Sequence, residues 1–330
     1  MTRRAFLSDI ASSVGTLLMA RAARATPPVR KSVRLGFVGA SSSATASKGL
    51  GAFWDRLHEL GYVEGENLIV ERRWADGQLE RLPALMAEVV ARKVDLIFTS
   101  GTPAALAAKK STTTIPIVVA AMGDPLGTGL VSSLARPGSN LTGLSLEMTE
   151  DLCGKWLQLL QEAVPRLSNV AVISNPGSAL VTQLAKNLEA AAQTRGMKLR
   201  FLDVREPVAL AGAFKQARRE AQAAVIVPDP LITEHRAQIT ALAATNRLPA
   251  LYTLLDFMET GALMAYGVDT RLVSRRAAEY VDKVLRGANP AELPIEQATQ
   301  YRLVVNLKTA KALGLTIPQS LLLRADEVIR

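Results

Sequence analysis

Hydroxyls, amides and single carboxylates stand directly after several short apolar runs of this sequence, and such groups bind small molecules more readily than they break bonds. The positions are Ser41, Ser42, Ser43, Ser100, Thr102, Asp124, Asn175, Asp229, Asp256 and Tyr266. In open parallel sheets, ligands bind just beyond the carboxyl ends of the strands. The sequence therefore predicts a binding site at these positions and no catalytic residue.

The segment TSGTPAA (99–105) has the chemistry of an anion site. A strand ends at Ser100, Gly101 permits a tight turn, and a helix begins at Thr102 with Pro103 in its first turn. The free N–H groups of a helix N-terminus favour a carboxylate. Thr102 is equally suited to cap the helix, and the two roles are compatible.

Asp124 and Asp229 each end an apolar run and precede a proline. A carboxylate at such a point pairs with a ligand ammonium group, or it caps a turn, since Asp-Pro is common turn chemistry. Two facing acids could also support acid–base catalysis, which makes an exported hydrolase-like enzyme the alternative. That enzyme would need a histidine partner, but His58 and His235 lie in helical patterns, and the chain has no G-x-S-x-G motif.

The single cysteine, Cys153, excludes an intramolecular disulfide. No cluster of His, Cys and acidic residues has metal-ligand spacing, so we expect no metal and no cofactor. A G-x-G at Gly127 and Gly129 follows the fourth strand, with Ser132 where a dinucleotide fingerprint has its third glycine. We interpret this segment as a turn followed by a short helix, LVSSLARPG (130–138).

The first 25 residues have the features of an export signal. Arg3 and Arg4 precede an apolar run over residues 10–20, and Ala23-Arg24-Ala25 (23–25) offers the small-x-small pattern of a cleavage site. The paired arginines are typical of the twin-arginine type. A run of about eleven residues is too short for a membrane span, which needs about twenty. The sequence therefore predicts a periplasmic or otherwise extracytoplasmic protein.

The chain carries a net charge of +9, which falls to about +6 when the four arginines and one aspartate of the signal are set aside. Its basic residues are scattered, without the basic–aromatic patch that nucleic-acid binding uses. We therefore expect no nucleic-acid partner.

Short apolar runs alternate with amphipathic segments along the rest of the chain, with about four strand–helix pairs on each side of residues 120–143. This alternation predicts an α/β fold of two similar, doubly wound parallel-sheet lobes joined by hinge crossings. We assign residues 31–145 with about 268–295 to the first lobe. Residues 146–267 with about 296–330 form the second lobe, which includes one helix over 232–247.

Several long segments resemble, in the same order, motifs of the ABC-transporter substrate-binding proteins of the tryptophan/tyrosine-binding-like group. They are LGYVEGENLIVERRWADG, SGTPAALAAKKSTTTIPIVVA, GDPLGTGLVSSLARPGSNLTGLS, RRAAEYVDKVLRGANPAELPIEQ and LVVNLKTAKALGLTIPQSLLLRADEVI. The resemblance covers about residues 32–330. It implies the type I periplasmic binding protein fold, in which two lobes enclose a cleft and hinge segments cross between them.

The resemblance also implies a function. Such a protein is a monomer that captures a small solute, here an amino acid with an aromatic one favoured, and delivers it to a membrane permease. The carboxylate would lie at Thr102 and the loop Ser41–Ser43, and the ammonium at Asp229 or Asp124. Candidate pocket walls are Trp54, Met122, Tyr252 and Tyr266. An aromatic content of 5% argues against a cage of many aromatic side chains, which leaves other small organic solutes open. A ligand-sensing domain that reports to a receptor is a further alternative.

Overall fold

Two β-sheets, each covered by helices on both faces, make up the described part of the chain. The computed structural model describes residues 32–45, 48–146 and 149–330. The export signal predicted over residues 1–25 lies outside these ranges. Ser32–Arg330 form one compact unit.

The first lobe begins as an alternation of strands and helices. Its elements are β1 (Val33–Gly39), α1 (Lys48–Glu59), β2 (Leu68–Trp74), a 3₁₀ turn (Leu79–Arg81), α2 (Leu82–Ala91), β3 (Leu96–Ser100), α3 (Thr102–Ser111), β4 (Ile117–Gly123) and β5 (Leu141–Leu146). The strands pair in parallel in the order β2–β1–β3–β4–β5. Nearly continuous apolar strands such as β4 are typical of a sheet buried on both faces.

The second lobe repeats this pattern. Its elements are α4 (Glu150–Ala163), β6 (Asn169–Ser174), α5 (Ala179–Thr194), β7 (Lys198–Asp203), α6 (Ala209–Glu220), β8 (Ala223–Ile226), α7 (Pro230–Glu234), α8 (Arg236–Thr245), β9 (Ala250–Tyr252), a 3₁₀ turn (Leu255–Thr260) and β10 (Met264–Val268). The strands pair in parallel in the order β7–β6–β8–β9–β10.

The chain then returns to the first lobe before it ends in the second. Helix α9 (Thr270–Leu285) packs on α1, where Arg275 and Glu59 form an ion pair at 2.7 Å. Strand β11 (Glu296–Ala298) pairs with β5, so the last crossing lies between Ala298 and Tyr301, a few residues beyond the boundary near 295. The remaining elements are β12 (Tyr301–Asn306), α10 (Leu307–Ala312), α11 (Gln319–Leu322) and β13 (Glu327–Ile329).

Strand β12 pairs antiparallel with β10 and parallel with β13. Within the described residues the sheets therefore have six and seven strands, and both are dominated by parallel pairing. This arrangement confirms the predicted fold class, α/β with two similar lobes built on doubly wound, mainly parallel sheets.

Each sheet separates two apolar clusters, and these clusters fix where the strand ends lie. In the first lobe, Leu35 and Phe98 belong to the cluster on one face, and Val38 and Ile97 belong to the cluster on the other. The second lobe has the same layering. Burial of each such side chain contributes roughly 1.5–3 kcal/mol, so the sheets form a rigid frame for the loops that follow the strands.

The segment 130–138, predicted as a short helix, is irregular in the structure, and that prediction is wrong. Lys109 Nζ donates to the carbonyl oxygen of Leu130 at 2.7 Å, and Ile295 N donates to Leu134 O at 2.7 Å. Carbonyl groups that a helix would use internally are thus bonded to other segments. A short stretch with two serines and a proline has too little helix propensity to compete.

The single helix expected over 232–247 is divided at His235, whose ψ of 22° departs from helical geometry. Glu234 ends α7 and Arg236 begins α8. Both side chains bond to the loop that follows β1 in the other lobe. The division therefore stands at a point of contact between the lobes.

None of the helices in the described ranges is both long and apolar enough to cross a membrane. Within the same ranges, no group of three or more His, Cys, Asp or Glu side chains is placed to hold a metal ion.

Candidate functional site

A cavity of about 210 Å³ lies between the two lobes. The first lobe contributes residues that follow β1 and β3, and the second lobe contributes residues that follow β8 and β9. Ligands of open parallel sheets bind at such carboxyl ends, so this cavity is the candidate site. Five of the polar residues that follow predicted strands line it: Ser41, Ser100, Thr102, Asp229 and Asp256.

Thr102 opens α3 at the first-lobe side of the cavity. Its Oγ1 accepts a hydrogen bond from Gly123 N at 2.9 Å and donates to Gly123 O at 3.1 Å, so this hydroxyl ties the turn after β3 to the end of β4. Gly101, with a φ of +81°, makes the turn possible because the left-handed region favours glycine. The partial positive charge of the α3 N-terminus faces a cavity that Ser41 and Ser100 also line.

Asp229 is the N-cap of α7 and lines the second-lobe side of the cavity. Its Oδ1 accepts a hydrogen bond from Ile232 N at 2.7 Å. Its Oδ2 is buried and has no hydrogen-bond partner of normal geometry, although Asn175 is close enough to influence the carboxyl. Burial raises the pKa of Asp229, and the backbone N–H groups of Ile232 and Leu231 and the nearby amide of Asn175 offset this only in part. A buried oxygen of this kind can accept a hydrogen bond from a donor that enters the cavity.

Asp256 is the second carboxylate of the cavity and lies in the 3₁₀ turn after β9. Thr270 Oγ1, at the start of α9 in the first lobe, donates to its Oδ1 at 2.9 Å. Burial raises the pKa of Asp256, while the Thr270 hydrogen bond lowers it. Asp256 is one of the polar residues that follow the predicted strands, although no particular group of a ligand was expected to bind it.

Three aromatic side chains, Phe37, Trp74 and Phe98, form an apolar wall on the first lobe. The Phe37 ring lies edge-on to that of Trp74, with 5.0 Å between centroids, and 5.8 Å from that of Phe98. Phe53 stacks behind Phe98 at 3.7 Å. We call Phe37, Trp74 and Phe98 the aromatic wall.

The aromatic wall has no counterpart among the residues expected from the sequence, yet the sequence holds a signal for it. Phe37 and Phe98 each lie two residues before the end of their strands and pair across β1 and β3. They therefore share the sheet face that ends at the cavity, because side chains alternate along a strand. The low aromatic content of the chain does not prevent three rings from meeting at one place.

Met122 belongs to the buried core instead of the cavity, and Ala121 lines the cavity in its place. The pairing of β4 with β5 shifts register between Val119 and Met122, and Ala121 has a φ of +56°. Such a bulge exchanges the faces of the residues that follow it. Without it, the alternation would place Met122 on the same side as Phe37 and Phe98.

Tyr252, Tyr266 and Trp54, expected as pocket walls, do not line the cavity. Tyr252 is 1% exposed and stacks on Phe257 in the core of the second lobe. Tyr266 packs against Tyr301 beside the other core cluster of that lobe. Trp54 lies behind the aromatic wall, edge-on to Phe37.

Asp124 caps the turn that it begins. Its Oδ1 accepts a hydrogen bond from Gly127 N at 2.8 Å, and it is not among the cavity-lining residues. Asn175 likewise accepts from Gly177 N at 3.0 Å and lies beside Asp229 without lining the cavity. The two Asp-Pro sequences therefore have different surroundings.

Ser42 and Ser43 lie in the loop after β1, and neither lines the cavity. Ser43 is exposed. Ser42 N and Oγ donate to the two carboxylate oxygens of Glu234 at 2.8 and 2.7 Å, and Thr45 Oγ1 also donates to Glu234. Arg236 Nη1 donates to Thr45 O at 2.9 Å. We call Ser42, Thr45, Glu234 and Arg236 the interlobe clasp, since it joins the lobes beside the cavity.

The family described as ABC transporter substrate binding protein matches residues 37–329 of the chain. Because this match spans most of the sequence, the chain belongs to that family, and the resemblance carried by its motifs is confirmed. The family is one of substrate-binding proteins, which work outside the cytoplasm, and not a family of enzymes.

A tyrosine-binding protein of Clostridioides difficile (strain R20291) is 26% identical to this chain over 263 residues, which are 80% of this chain and 75% of the relative. Two solved structures share the fold at 23% identity. The ABC domain in complex with L-Trp from Streptococcus pneumonia has a TM-score of 0.83, with 91% of this chain and 100% of that chain covered. The ligand-free, open structure of a substrate binding protein with adhesive properties from Clostridium difficile has a TM-score of 0.65, with 90% and 99% covered.

Proposed function

We propose that this protein is the exported solute-binding component of an ABC importer and captures an aromatic amino acid between its lobes. The observation that carries the proposal is the pairing, in one cavity, of the aromatic wall on one lobe with the unpartnered Oδ2 of Asp229 on the other. A ligand with an aromatic side chain and an ammonium group satisfies both.

The polarity of the cavity fits an amino acid. Ser41, Ser100 and the N-terminus of α3 offer neutral donors for a carboxylate on the first lobe. Asp229 offers a charged acceptor for the ammonium on the second lobe, and charge-assisted hydrogen bonds are the stronger kind. The relatives that bind tyrosine and L-Trp support the same class of ligand.

Contacts on both lobes couple binding to closure. A ligand stabilises the closed state only by its extra affinity for that state, and a ligand held by Asp229 and the aromatic wall together has this preference. The hinges lie where the chain passes between the lobes, at the end of β5, around Asp269 and between Ala298 and Tyr301. A membrane permease is the partner that receives the solute, and the protein acts as a monomer in the periplasm after twin-arginine export.

Calorimetry on the purified protein tests capture. The panel consists of L-tryptophan, L-tyrosine and L-phenylalanine, with L-leucine and L-glutamate as an aliphatic and an acidic comparison. We expect micromolar or tighter binding of at least one aromatic member and none of L-glutamate. Absence of binding together with turnover of a solute would overturn the proposal in favour of an enzyme.

Uptake of the radiolabelled ligand by cells tests delivery. Cells that lack the gene are compared with cells that carry the wild type, Asp229→Asn or, as a control, Asp124→Asn. We expect uptake to be restored by the wild type and by Asp124→Asn only. Binding in the calorimeter without any effect on uptake would favour the sensing alternative over transport.

A further inference from the structure

We infer that the cavity selects its ligand by the amine and does not require a carboxylate, so that the affinities of aromatic monoamines lie within about tenfold of those of the corresponding amino acids. This inference rests on the proposed function and deepens it, because it names the one ionic group that the site demands.

The ionisable side chains that line the cavity are all acidic, and all of them belong to the second lobe. Among the described residues that line it, the only ionisable side chains are Asp229 and Asp256, and no Lys, Arg or His is among them. Both carboxylates are on the second lobe, and burial opposes the ionisation of both. A ligand cation between them stabilises their ionised forms, whereas a ligand carboxylate in the same cavity is repelled by them.

The donors that the lining residues offer to a ligand carboxylate are all neutral. The Thr102 hydroxyl is already bonded to Gly123 both as donor and as acceptor. Pro103, the second residue of α3, has no N–H, which removes one of the free groups of that helix N-terminus. The hydroxyls of Ser41, Ser100 and other lining residues and the remaining N–H groups of the helix are all neutral donors, and neutral hydrogen bonds are about half as strong as charge-assisted ones.

The amine has the better partners. Asp229 Oδ2 is buried without a partner on a side chain that is 7% exposed. Asp256 Oδ1 accepts a hydrogen bond from Thr270, and burial keeps the pKa of this carboxyl raised in spite of that bond and of the nearby positive charge of Arg236. The aromatic wall binds a ring whether or not the ligand carries a carboxylate. The removal of the carboxylate therefore costs neutral hydrogen bonds and relieves repulsion.

Isothermal titration calorimetry of the purified protein with matched ligand triplets tests the inference. One triplet is L-tryptophan, tryptamine and 3-indolepropionate, and the other is L-tyrosine, tyramine and 3-(4-hydroxyphenyl)propionate. In each triplet the amine lacks only the carboxylate and the acid lacks only the ammonium. We expect the amine to bind within about tenfold of the amino acid, a difference of at most about 1.4 kcal/mol, and the acid not to bind.

Asp256→Asn gives a second readout, because the asparagine keeps an Oδ1 acceptor for Thr270 and loses only the charge. We expect this variant to bind the monoamine about tenfold or more weakly than the wild type does, and to lose less affinity for the zwitterionic amino acid. Asp124→Asn removes the same charge from a residue outside the cavity and is expected to leave both affinities unchanged.

The outcomes separate the inference from the proposed function. An amino acid that binds while its monoamine is more than tenfold weaker overturns the inference and leaves the proposed function standing. An equal loss for amine and amino acid in Asp256→Asn also overturns the inference. No binding by any of the six compounds overturns the proposed function and the inference with it.

Discussion

The Ser42 hydroxyl donates a hydrogen bond to Glu234 Oε1 at 2.7 Å, from the loop after β1 in one lobe to the end of α7 in the other. Ser42 belongs to the first lobe and Glu234 to the second, so the bond joins the two lobes in the arrangement that the structure shows. Ser42 N and Thr45 Oγ1 donate to the same carboxylate. The interlobe clasp therefore favours this contact between the lobes without any contribution from a ligand.

Glu234→Ala is predicted to favour the open state. Charge-assisted hydrogen bonds contribute roughly 1.5–3 kcal/mol each, and the loss of even part of this lowers the closed population. We expect the ligand-free variant to have a larger radius of gyration in small-angle X-ray scattering and a ligand affinity about fivefold to thirtyfold weaker. Glu189→Ala, an exposed residue on α5, is the matched control. Scattering and affinity equal to that control would show that the clasp does not hold the lobes.

The clasp is also predicted to depend on pH. Burial opposes the ionisation of Glu234, but the hydrogen bonds from Thr45 and Ser42 outweigh it and lower its pKa. A carboxyl with a lowered pKa contributes stability that is present above its ordinary pKa, about 4.3, and is lost as the pH falls through the lowered value. Ligand-free scattering should therefore show opening only below about pH 4 in the wild type. Opening that begins near pH 7 would contradict this assignment.

Asp229→Asn is predicted to raise the stability of the ligand-free protein. Because burial raises the pKa of Asp229, the wild type loses stability as the pH rises from the ordinary aspartate value, about 3.9, through the raised value. The amide removes that loss and keeps an Oδ1 acceptor for Ile232, and Asn is as good an N-cap as Asp. Thermal unfolding at pH 7 and pH 3.5 checks this. The melting temperature of the variant should exceed that of the wild type at pH 7 and should not exceed it at pH 3.5. A lower melting temperature at pH 7 would refute it.

Trp74 is predicted to report ligand binding by its fluorescence. It lines the cavity, whereas Trp54 lies behind the aromatic wall and Trp156 is 1% exposed in the second lobe. We expect L-phenylalanine or phenethylamine to change the intrinsic emission of the wild type and of Trp54→Phe, and most of the change to vanish in Trp74→Phe. A change that survives in Trp74→Phe and is lost in Trp54→Phe would place the ligand elsewhere.

Replacement by alanine is predicted to change the free energy of unfolding in opposite directions at two glycines. A Cβ at Gly143, in β5, would lie 2.0 Å from Val119 O, and its φ of +138° is unfavourable for other residues. Gly143→Ala should lower the free energy of unfolding by about 1–3 kcal/mol or more. Gly212, inside α6, has open space around its Cβ position, and alanine there should add about 0.5–1 kcal/mol. Chemical denaturation measures both, and a destabilised Gly212→Ala would contradict the helix assignment.

The fold follows from the sequence because its signals are local. Apolar runs such as β3 and β8 alternate with amphipathic helices, and parallel sheets covered on both faces follow from that alternation. The segment 130–138 and the helix around His235 were predicted wrongly where long-range bonds decide the backbone. Lys109 and Ile295 bond to carbonyl groups of the segment 130–138, and the interlobe clasp includes the residues on either side of His235.

The site is harder to predict because it depends on which face a strand end presents. Asp124 and Asp229 have the same local sequence pattern, yet one caps its own turn outside the cavity and the other lines it. The bulge in β4 turns Ala121 instead of Met122 toward the cavity, and no local sequence pattern indicates this bulge. The positions of Phe37 and Phe98, equally far from the ends of paired strands, are a signal that strand alternation could have supplied.

Calorimetric titration of L-tryptophan and L-tyrosine into the wild type, Asp229→Asn and Asp124→Asn tests the central claim most directly. Both substitutions remove one charge from an Asp-Pro sequence, and only Asp229 lines the cavity. The predicted result is binding by the wild type and Asp124→Asn, with a loss of at least about a hundredfold in Asp229→Asn, as for an ammonium deprived of its ionic partner. Equal affinity of Asp229→Asn and the wild type would contradict the claim that this carboxylate holds the ligand.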